Sequence, residues 1–105
     1  MQYIVRYDVE ATRWEEFRPW LADNDDPIRQ SQRPGWEYLG TWFTVQGFGT
    51  YGAETRWELD DYAALGAQGS AASDEITRKW FEFIDQGRPA EAYLMKSATD
   101  VIILE

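Results

Sequence analysis

Apolar side chains recur at every second position in two stretches of the chain and at helical spacing in two others. Residues 2–10 and residues 50–59 alternate between apolar and mostly charged side chains, which is typical of strands that bury one face. Residues 12–32 and the stretch from Ser73 to Gly87 place apolar residues three, four and seven positions apart, which indicates amphipathic helices. The chain is therefore predicted to combine helices with a sheet.

Prolines divide the first helical segment. Pro19 lies inside its apolar stripe, where the missing N–H and a clash with the preceding turn are expected to kink or split the helix. Asp26-Pro27 is typical of a second helix start, with Asp as the N-cap and Pro in the first turn. Arg33-Pro34-Gly35 ends the segment, so residues 12–32 are interpreted as one broken helix.

A hairpin follows. Residues 36–45 are apolar, aromatic or Thr at nearly every position, which predicts a strand covered on both faces. A glycine-rich turn at residues 47–49 joins it to the alternating strand at 50–59. A short helix is expected over residues 60–66, and a β-branched run at residues 101–104 is predicted to be the final strand.

The resulting order, β-α-β-β-α-β, predicts an α+β, ferredoxin-like fold. In this fold two helical segments cover one face of a four-stranded antiparallel sheet. The 105 residues correspond to one domain, residues 1–105. The other sheet face carries charges on the first and third strands, whereas the second strand is apolar. Such a half-apolar face is expected to be covered by a second copy of the chain in a homodimer.

Composition excludes several chemistries. The chain has no His and no Cys, which excludes disulfides, thiol chemistry, and mechanisms or metal sites that need His or Cys. Neither a metal nor another cofactor is expected. The net charge of −9 opposes binding to nucleic acid and to anionic membranes. No signal peptide or spanning segment is recognisable, so a cytoplasmic location is expected.

The hairpin carries a family resemblance. The sequence GWEYLGTWFTVQG at residues 35–47, followed by TRWELDDY at residues 55–62, resembles the dimeric α/β-barrel superfamily and, within it, NIPSNAP-type members. The shared features are a Gly before the second strand, a Leu-Gly-x-Trp step within it, a Gly turn and an aromatic residue in the third strand. An Asn that often follows the turn is here replaced by Phe48-Gly49. The match covers about residues 35–65.

This resemblance implies a dimer in which the two sheets face each other and each protomer holds a small-molecule cavity between its sheet and its helices. It does not imply one reaction, because the superfamily contains haem-degrading and cofactor-free monooxygenases, isomerases, cyclases and members without known activity.

Two apparent ligand motifs do not fit their context. Residues 47–52 match G-x-G-x-x-G, but a dinucleotide site needs a helix after the turn and a strand follows here. The acidic run at residues 23–26 lacks the Gly and Glu that a Ca²⁺-binding EF-hand loop requires, since Ile28 and Pro34 occupy those positions.

Glu54 and Arg56 are the candidate catalytic residues. They share one face of the third strand with Glu58, and next-but-one residues of a strand lie about 6.6 Å apart, so Arg56 can pair with either Glu. An ion-pair network in a dimer interface is one interpretation. In the other, Arg56 holds a substrate carboxylate or enolate and Glu54 moves a proton.

Aromatic residues suggest a binding site. A ring-lined cavity suits a flat, apolar or aromatic small molecule, although rings also fill the core of a small protein. Tyr38 and Trp42 are expected to share one face of the second strand. The candidate ligand-binding residues are Trp42, Tyr51, Tyr38, Tyr7, Trp57 and Trp80.

The predicted function is therefore a homodimer that binds a small apolar or aromatic molecule. Any catalysis would be a cofactor-free oxygenation of an aromatic or apolar substrate, or an isomerisation. The alternative is a non-catalytic interaction protein whose dimer surface is its function.

Overall fold

Strands and helices alternate in the order that the sequence predicts. The computed structural model describes residues 1–45, 49–66 and 71–97, without the side chains of residues 71–74. The strands are β1 (Gln2–Tyr7), β2 (Trp36–Phe43), β3 (Ala53–Leu59) and β4 (Glu91–Met95). The helices are α1 (Trp14–Asp23), α2 (Asp25–Gln30) and α3 (Ala71–Phe83), with 3₁₀ turns at Ala11–Arg13 and Tyr62–Gly66.

The strands form one antiparallel sheet in the order β2-β3-β1-β4. This confirms the α+β, ferredoxin-like prediction. β1 pairs with β3 so that Tyr3 lies opposite Trp57 and Arg6 lies opposite Glu54. Because neighbouring residues of a strand point to opposite faces, this register places aromatic rings on one face of the sheet and charges on the other.

The helices pack on the aromatic face. Phe17 of α1 is completely buried, and its ring centroid lies 5.1 Å from that of Phe83 in α3 and 6.0 Å from that of Phe43 in β2. Tyr7 of β1 is also buried against Phe17. Burial of these large rings supplies most of the apolar core of a short chain.

No helix in the described parts of the chain is long and apolar enough to cross a membrane.

A β-bulge in β2 corrects one prediction. The pairing of β2 with β3 shifts between Tyr38 and Gly40, so that Tyr38 lies opposite Trp57 and Trp42 lies opposite Glu54. An extra residue in a strand reverses the alternation of side chains beyond it. Tyr38 and Trp42 therefore lie on opposite faces of the sheet, and the expectation that they share a face was wrong.

The helix break also differs from the prediction. α1 continues through Pro19, and the interruption falls at Asn24. α2 then begins at Asp25, and its N-cap is Asn24. In this position the Asn24 side chain makes no capping hydrogen bond to α2, and instead donates to the carbonyl of Trp20 in α1, 2.8 Å away. Asp26 is therefore not the N-cap that the sequence suggested.

The fourth strand lies earlier in the chain than expected. Residues 91–95 form β4, and all five are exposed at the edge of the sheet, so they carry no alternating pattern by which to recognise them. The predicted strand at residues 101–104 lies outside the described residues. So does most of the predicted turn at residues 47–49.

Candidate functional site

A cavity of about 410 Å³ lies between the sheet and the helices α2 and α3. Strands β1 and β3 provide its floor, and Ile76 and Trp80 of α3 close it from above. Aliphatic side chains such as Val5 and Ile28 fill the spaces between its rings. The aromatic residues that line it are Tyr3, Tyr7, Trp36, Trp57, Trp80 and Phe81.

Three rings form one end of the cavity. The centroids of Tyr3, Trp36 and Trp57 lie 5.4, 5.8 and 5.9 Å from one another, in edge-to-face or tilted arrangements. The sheet register explains this arrangement, because Tyr3 pairs directly with Trp57, and Trp36 begins the neighbouring strand. The indole N–H of Trp36 donates to the carbonyl of Ala64, 2.5 Å away, which anchors that ring.

A chain of hydroxyl groups runs beneath the cavity. The Trp80 indole N–H donates to the Tyr7 hydroxyl over 3.0 Å, and Tyr7 lies 2.8 Å from the Thr55 hydroxyl. Thr55 lies 2.9 Å from Thr41, which in turn lies 2.7 Å from the Tyr38 hydroxyl. Among the side chains that the structure describes, every buried nitrogen and oxygen has a partner. The chain therefore satisfies polar groups that would otherwise be costly to bury.

Burial controls the ionisation of Tyr7. Removal from water raises the pKa of its hydroxyl to about 12, against the opposing effect of hydrogen bonds from Thr55 and Trp80. Burial likewise raises the pKa of Tyr38. A tyrosine hydroxyl is already neutral at physiological pH, and burial moves the ionisation of both residues further into alkali, so both act as neutral hydrogen-bonding groups.

The structure brings three of the six predicted binding residues together. Tyr7, Trp57 and Trp80 line the cavity. Tyr38 packs behind it, with its ring centroid 6.1 Å from that of Trp80 and 6.3 Å from that of Trp57. Tyr38 and Trp42 instead line a shallow cavity of about 370 Å³ at the edge of β2, beside Arg29.

Trp42 and Tyr51 do not line the main cavity. The bulge directs Trp42 to the face of the sheet opposite the described helices, the helix-free face, where the residue is 51% exposed. Tyr51 precedes β3, and its hydroxyl donates to the carbonyl of Pro89 over 3.0 Å. The Arg88 guanidinium stacks 3.9 Å from the centroid of the Tyr51 ring. Tyr51 therefore fastens the end of the hairpin to the segment after α3.

Glu54 and Arg56 also lie on the helix-free face, away from the cavity. Glu54 accepts a hydrogen bond of 2.8 Å from Arg6 and one of 2.6 Å from Arg56. Burial alone would raise the pKa of the Glu54 carboxyl, but these two hydrogen bonds and the arginine charges outweigh it and hold the pKa below its ordinary value. A ligand in the cavity cannot reach either candidate catalytic residue, because the sheet separates them.

The ligand-binding residues predicted from the sequence do not include Tyr3, Trp36 or Arg33, although all three line the cavity. The alternation of the first strand does predict that Tyr3 shares the helix-facing side with Tyr7. Trp36 lies two positions before Tyr38, so the same rule could have assigned its face. Arg33 was interpreted only as part of a helix stop. In the parts of the chain that the structure describes, no group of three or more acidic side chains could hold a metal ion.

Comparisons with solved structures agree on the fold. An uncharacterized NIPSNAP domain protein from Burkholderia xenovorans has a similar structure, with a TM-score of 0.64 and 22% sequence identity over 93% of this chain and 96% of that one. A protein from Agrobacterium tumefaciens is similar with a TM-score of 0.61 and 18% identity, over 93% of this chain and 94% of its own. The NIPSNAP-type resemblance of the hairpin is thereby confirmed at the level of the fold. No family model and no curated protein matches the chain.

Proposed function

We propose that this protein binds a small apolar or aromatic molecule in the cavity between its sheet and α3. The observation that carries the proposal is the cavity itself, about 410 Å³ in volume and walled by six aromatic side chains. Small-molecule sites occupy about 300–1,000 Å³ and combine apolar walls with a few polar groups. This cavity meets both criteria.

Binding is a better supported function than catalysis. A cofactor-free oxygenation or an isomerisation needs a group that moves a proton at the substrate. Tyr7 is held neutral by its raised pKa of about 12, and its hydroxyl is already paired with Thr55 and Trp80. Glu54 and Arg56 lie beyond the sheet. The described cavity residues therefore recognise a ligand more readily than they transform one.

Thermal unfolding with neutral probes tests this proposal. Naphthol and a panel of polyphenols should raise the melting temperature, because a ligand present at about 100 times its Kd stabilises the folded state by about 2.7 kcal/mol. Quenching of tryptophan fluorescence should accompany the shift, since Trp36, Trp57 and Trp80 line the cavity. If no probe raises the melting temperature and none quenches the tryptophan fluorescence, the proposal is overturned.

A matched pair of variants locates the binding. Thr77 is an exposed residue of α3 at the cavity wall, and Thr12 is an exposed residue of the first 3₁₀ turn. Thr77→Phe should narrow the cavity and weaken probe binding, whereas Thr12→Phe should leave it unchanged. Equal affinities in the two variants would place any bound probe elsewhere.

We also propose that the helix-free face of the sheet binds a second copy of the chain. Trp42 lies on this face beside Arg56, whose guanidinium lies 5.7 Å from the Trp42 ring centroid. Arg6, Glu54 and Arg56 form their ion pairs within one protomer. Charges that are already paired cost less to bury than unpaired ones, and a face that bears both signs can match its own copy across a two-fold axis.

Dimerisation can be tested with two arginines of equal exposure. Arg56 and Arg88 each form an ion pair, and their side chains are 38% and 39% exposed. Sedimentation should give a dimer for the wild type, a dissociation constant raised about fivefold or more for Arg56→Ala, and a near-normal value for Arg88→Ala. Equal constants for both variants would contradict the assignment of the interface, and a monomeric wild type would remove it. The cytoplasmic location expected from the sequence stays a prediction.

A further inference from the structure

We infer that the ligand of the cavity carries a carboxylate, which Arg33 binds at the cavity wall. This inference rests on the proposed binding function and specifies its ligand class as a flat apolar or aromatic carboxylate. Its basis is the charge of the lining. Among the described residues that line the cavity, Arg33 is the one with a charged side chain.

Arg33 is held in place by a tight turn. Its carbonyl accepts a hydrogen bond of 3.0 Å from the N–H of Trp36, and Pro34 restricts the backbone that follows. Gly35 has a φ of +83°, and a Cβ there would lie 2.9 Å from the Cβ of Ala64. The turn therefore excludes other residues at Gly35 and sets the position from which the Arg33 side chain extends.

The guanidinium of Arg33 is available for a ligand. It lies 5.2 Å from the centroid of the Trp36 ring, and an arginine over an aromatic ring keeps the N–H groups at its edge free. Within the described parts of the chain, no carboxylate forms an ion pair with it.

Neutral donors of the same wall complement a carboxylate. The Trp36 and Trp80 indole N–H groups already donate to protein acceptors. The Trp57 indole N–H and the Tyr3 hydroxyl, by contrast, have no hydrogen-bond partner in the described part of the chain, although both residues line the cavity. A planar guanidinium fork and nearby neutral donors suit a carboxylate, which only accepts hydrogen bonds.

The net charge of −9 does not oppose this assignment at physiological ionic strength. Charges more than about 8 Å apart on a protein surface are then largely screened. Charges close to the ligand therefore decide which ligands bind, and among the described residues that line the cavity the charged one, Arg33, is positive.

A pair of probes that differ in charge alone tests the inference. Naphthoate and naphthamide have the same ring system, but the first is a carboxylate and the second is neutral. Titrations followed by tryptophan fluorescence should give wild-type protein a preference for naphthoate of about threefold to tenfold. Raised salt should reduce that preference.

Two arginine variants assign the preference to a residue. Arg33→Gln should abolish it while leaving the affinity for naphthamide unchanged. Arg18→Gln is the matched control, because Arg18 is also exposed and lies 5.1 Å from the centroid of the Phe43 ring, outside the cavity lining. This variant should keep the preference. Melting temperatures of both variants establish that they fold.

The outcomes separate the inference from the proposed function. The inference of a carboxylate ligand would be overturned if the wild type bound both probes equally, or if the preference for naphthoate survived Arg33→Gln. The cavity would in either case remain a binding site. If neither probe binds, the inference of a carboxylate ligand is overturned, and the proposed binding function is overturned with it if naphthol and the polyphenols also change neither the melting temperature nor the fluorescence.

Discussion

Tyr7 and Thr55 share an uncharged hydrogen bond of 2.8 Å beneath the helices, while Arg6 and Glu54, one position earlier on the same two strands, form an ion pair of 2.8 Å on the opposite face. The first pair is buried and the second remains partly exposed. A single step along a strand thus separates a neutral, fully paired interior from a charged surface. Because the faces use different interactions, each should respond to a different perturbation.

The largest difference between the faces should appear when one ring is removed from each. Phe17→Ala deletes a completely buried ring at the centre of the aromatic core and should lower the free energy of unfolding by about 3–5 kcal/mol. Trp42→Ala deletes a larger ring that is 51% exposed, and should cost the monomer less than about 1 kcal/mol.

Urea unfolding of both variants measures this difference. Measurements at several protein concentrations distinguish a loss of protomer stability from a loss of dimer affinity, because only the latter depends on concentration. Similar losses for the two variants at low protein concentration would mean that the faces contribute equally to the fold, contrary to the comparison.

Removal of one hydroxyl from the buried chain should have an intermediate effect. Tyr7→Phe preserves the ring but leaves the Trp80 indole N–H without its acceptor and Thr55 with Thr41 as its remaining partner. An unsatisfied buried polar group costs about 1–3 kcal/mol, so urea unfolding at neutral pH should show a loss in that range. The control is Phe81→Tyr, which adds one hydroxyl group to an exposed ring. It should change the free energy of unfolding little.

The same variant should alter the stability of the protein in alkali. Tyr7 has a folded-state pKa of about 12 against an ordinary value of 10.0. Between these pH values the unfolded chain loses the proton and the folded chain keeps it, so stability falls as pH rises and the Tyr7 contribution amounts to about 3 kcal/mol. Tyr7→Phe should therefore have a shallower decline from pH 10 to pH 12. If the stability of Tyr7→Phe declined as steeply as that of the wild type over this pH range, the decline could not be assigned to Tyr7.

The sequence predicted the faces of β1 and β3 because both strands alternate without interruption. Tyr7, Trp57 and Trp80 could be assigned to the cavity from the spacing of apolar residues alone. In β2 the same rule failed for Trp42, since one inserted residue near Leu39 changes the face of every residue after it. Nothing in the local composition distinguishes a bulge from a regular strand whose residues are apolar on both sides.

Two other features depend on tertiary context. Among the strands that the structure describes, β4 is an exposed edge strand that pairs with β1 alone, so its residues need no alternation and give no periodic signal. Arg33 belongs to the cavity because the turn at Gly35 packs against Ala64, a residue 29 positions later in the chain. A contact between distant segments cannot be obtained from local patterns, and that is why the charged residue of the lining was missed.

The smallest effect is expected from the ion pairs of the helix-free face. Hydrogen bonds from Arg6 and Arg56 hold the pKa of Glu54 below the ordinary 4.5, even though burial opposes them. Glu54 therefore contributes stability that is fully present above about pH 4.5 and is lost as the pH falls through its lower folded-state pKa. Its side chain is 20% exposed and its partners are about 40% exposed, so solvent should limit the contribution to about 1 kcal/mol.

Glu54→Gln should accordingly weaken the fold slightly at neutral pH and flatten its decline in acid. Urea unfolding of the variant and of the wild type, from neutral pH into acid, measures the difference between their free energies of unfolding. The contribution of the other carboxylates is common to both proteins and cancels in that difference. Glu16→Gln is the control, because Glu16 pairs with Arg13 over 3.3 Å but is 63% exposed, and its removal should change the acid dependence less. A larger change in the Glu16 variant would show that exposure, and not pairing with two arginines, determines the response of this face to acid.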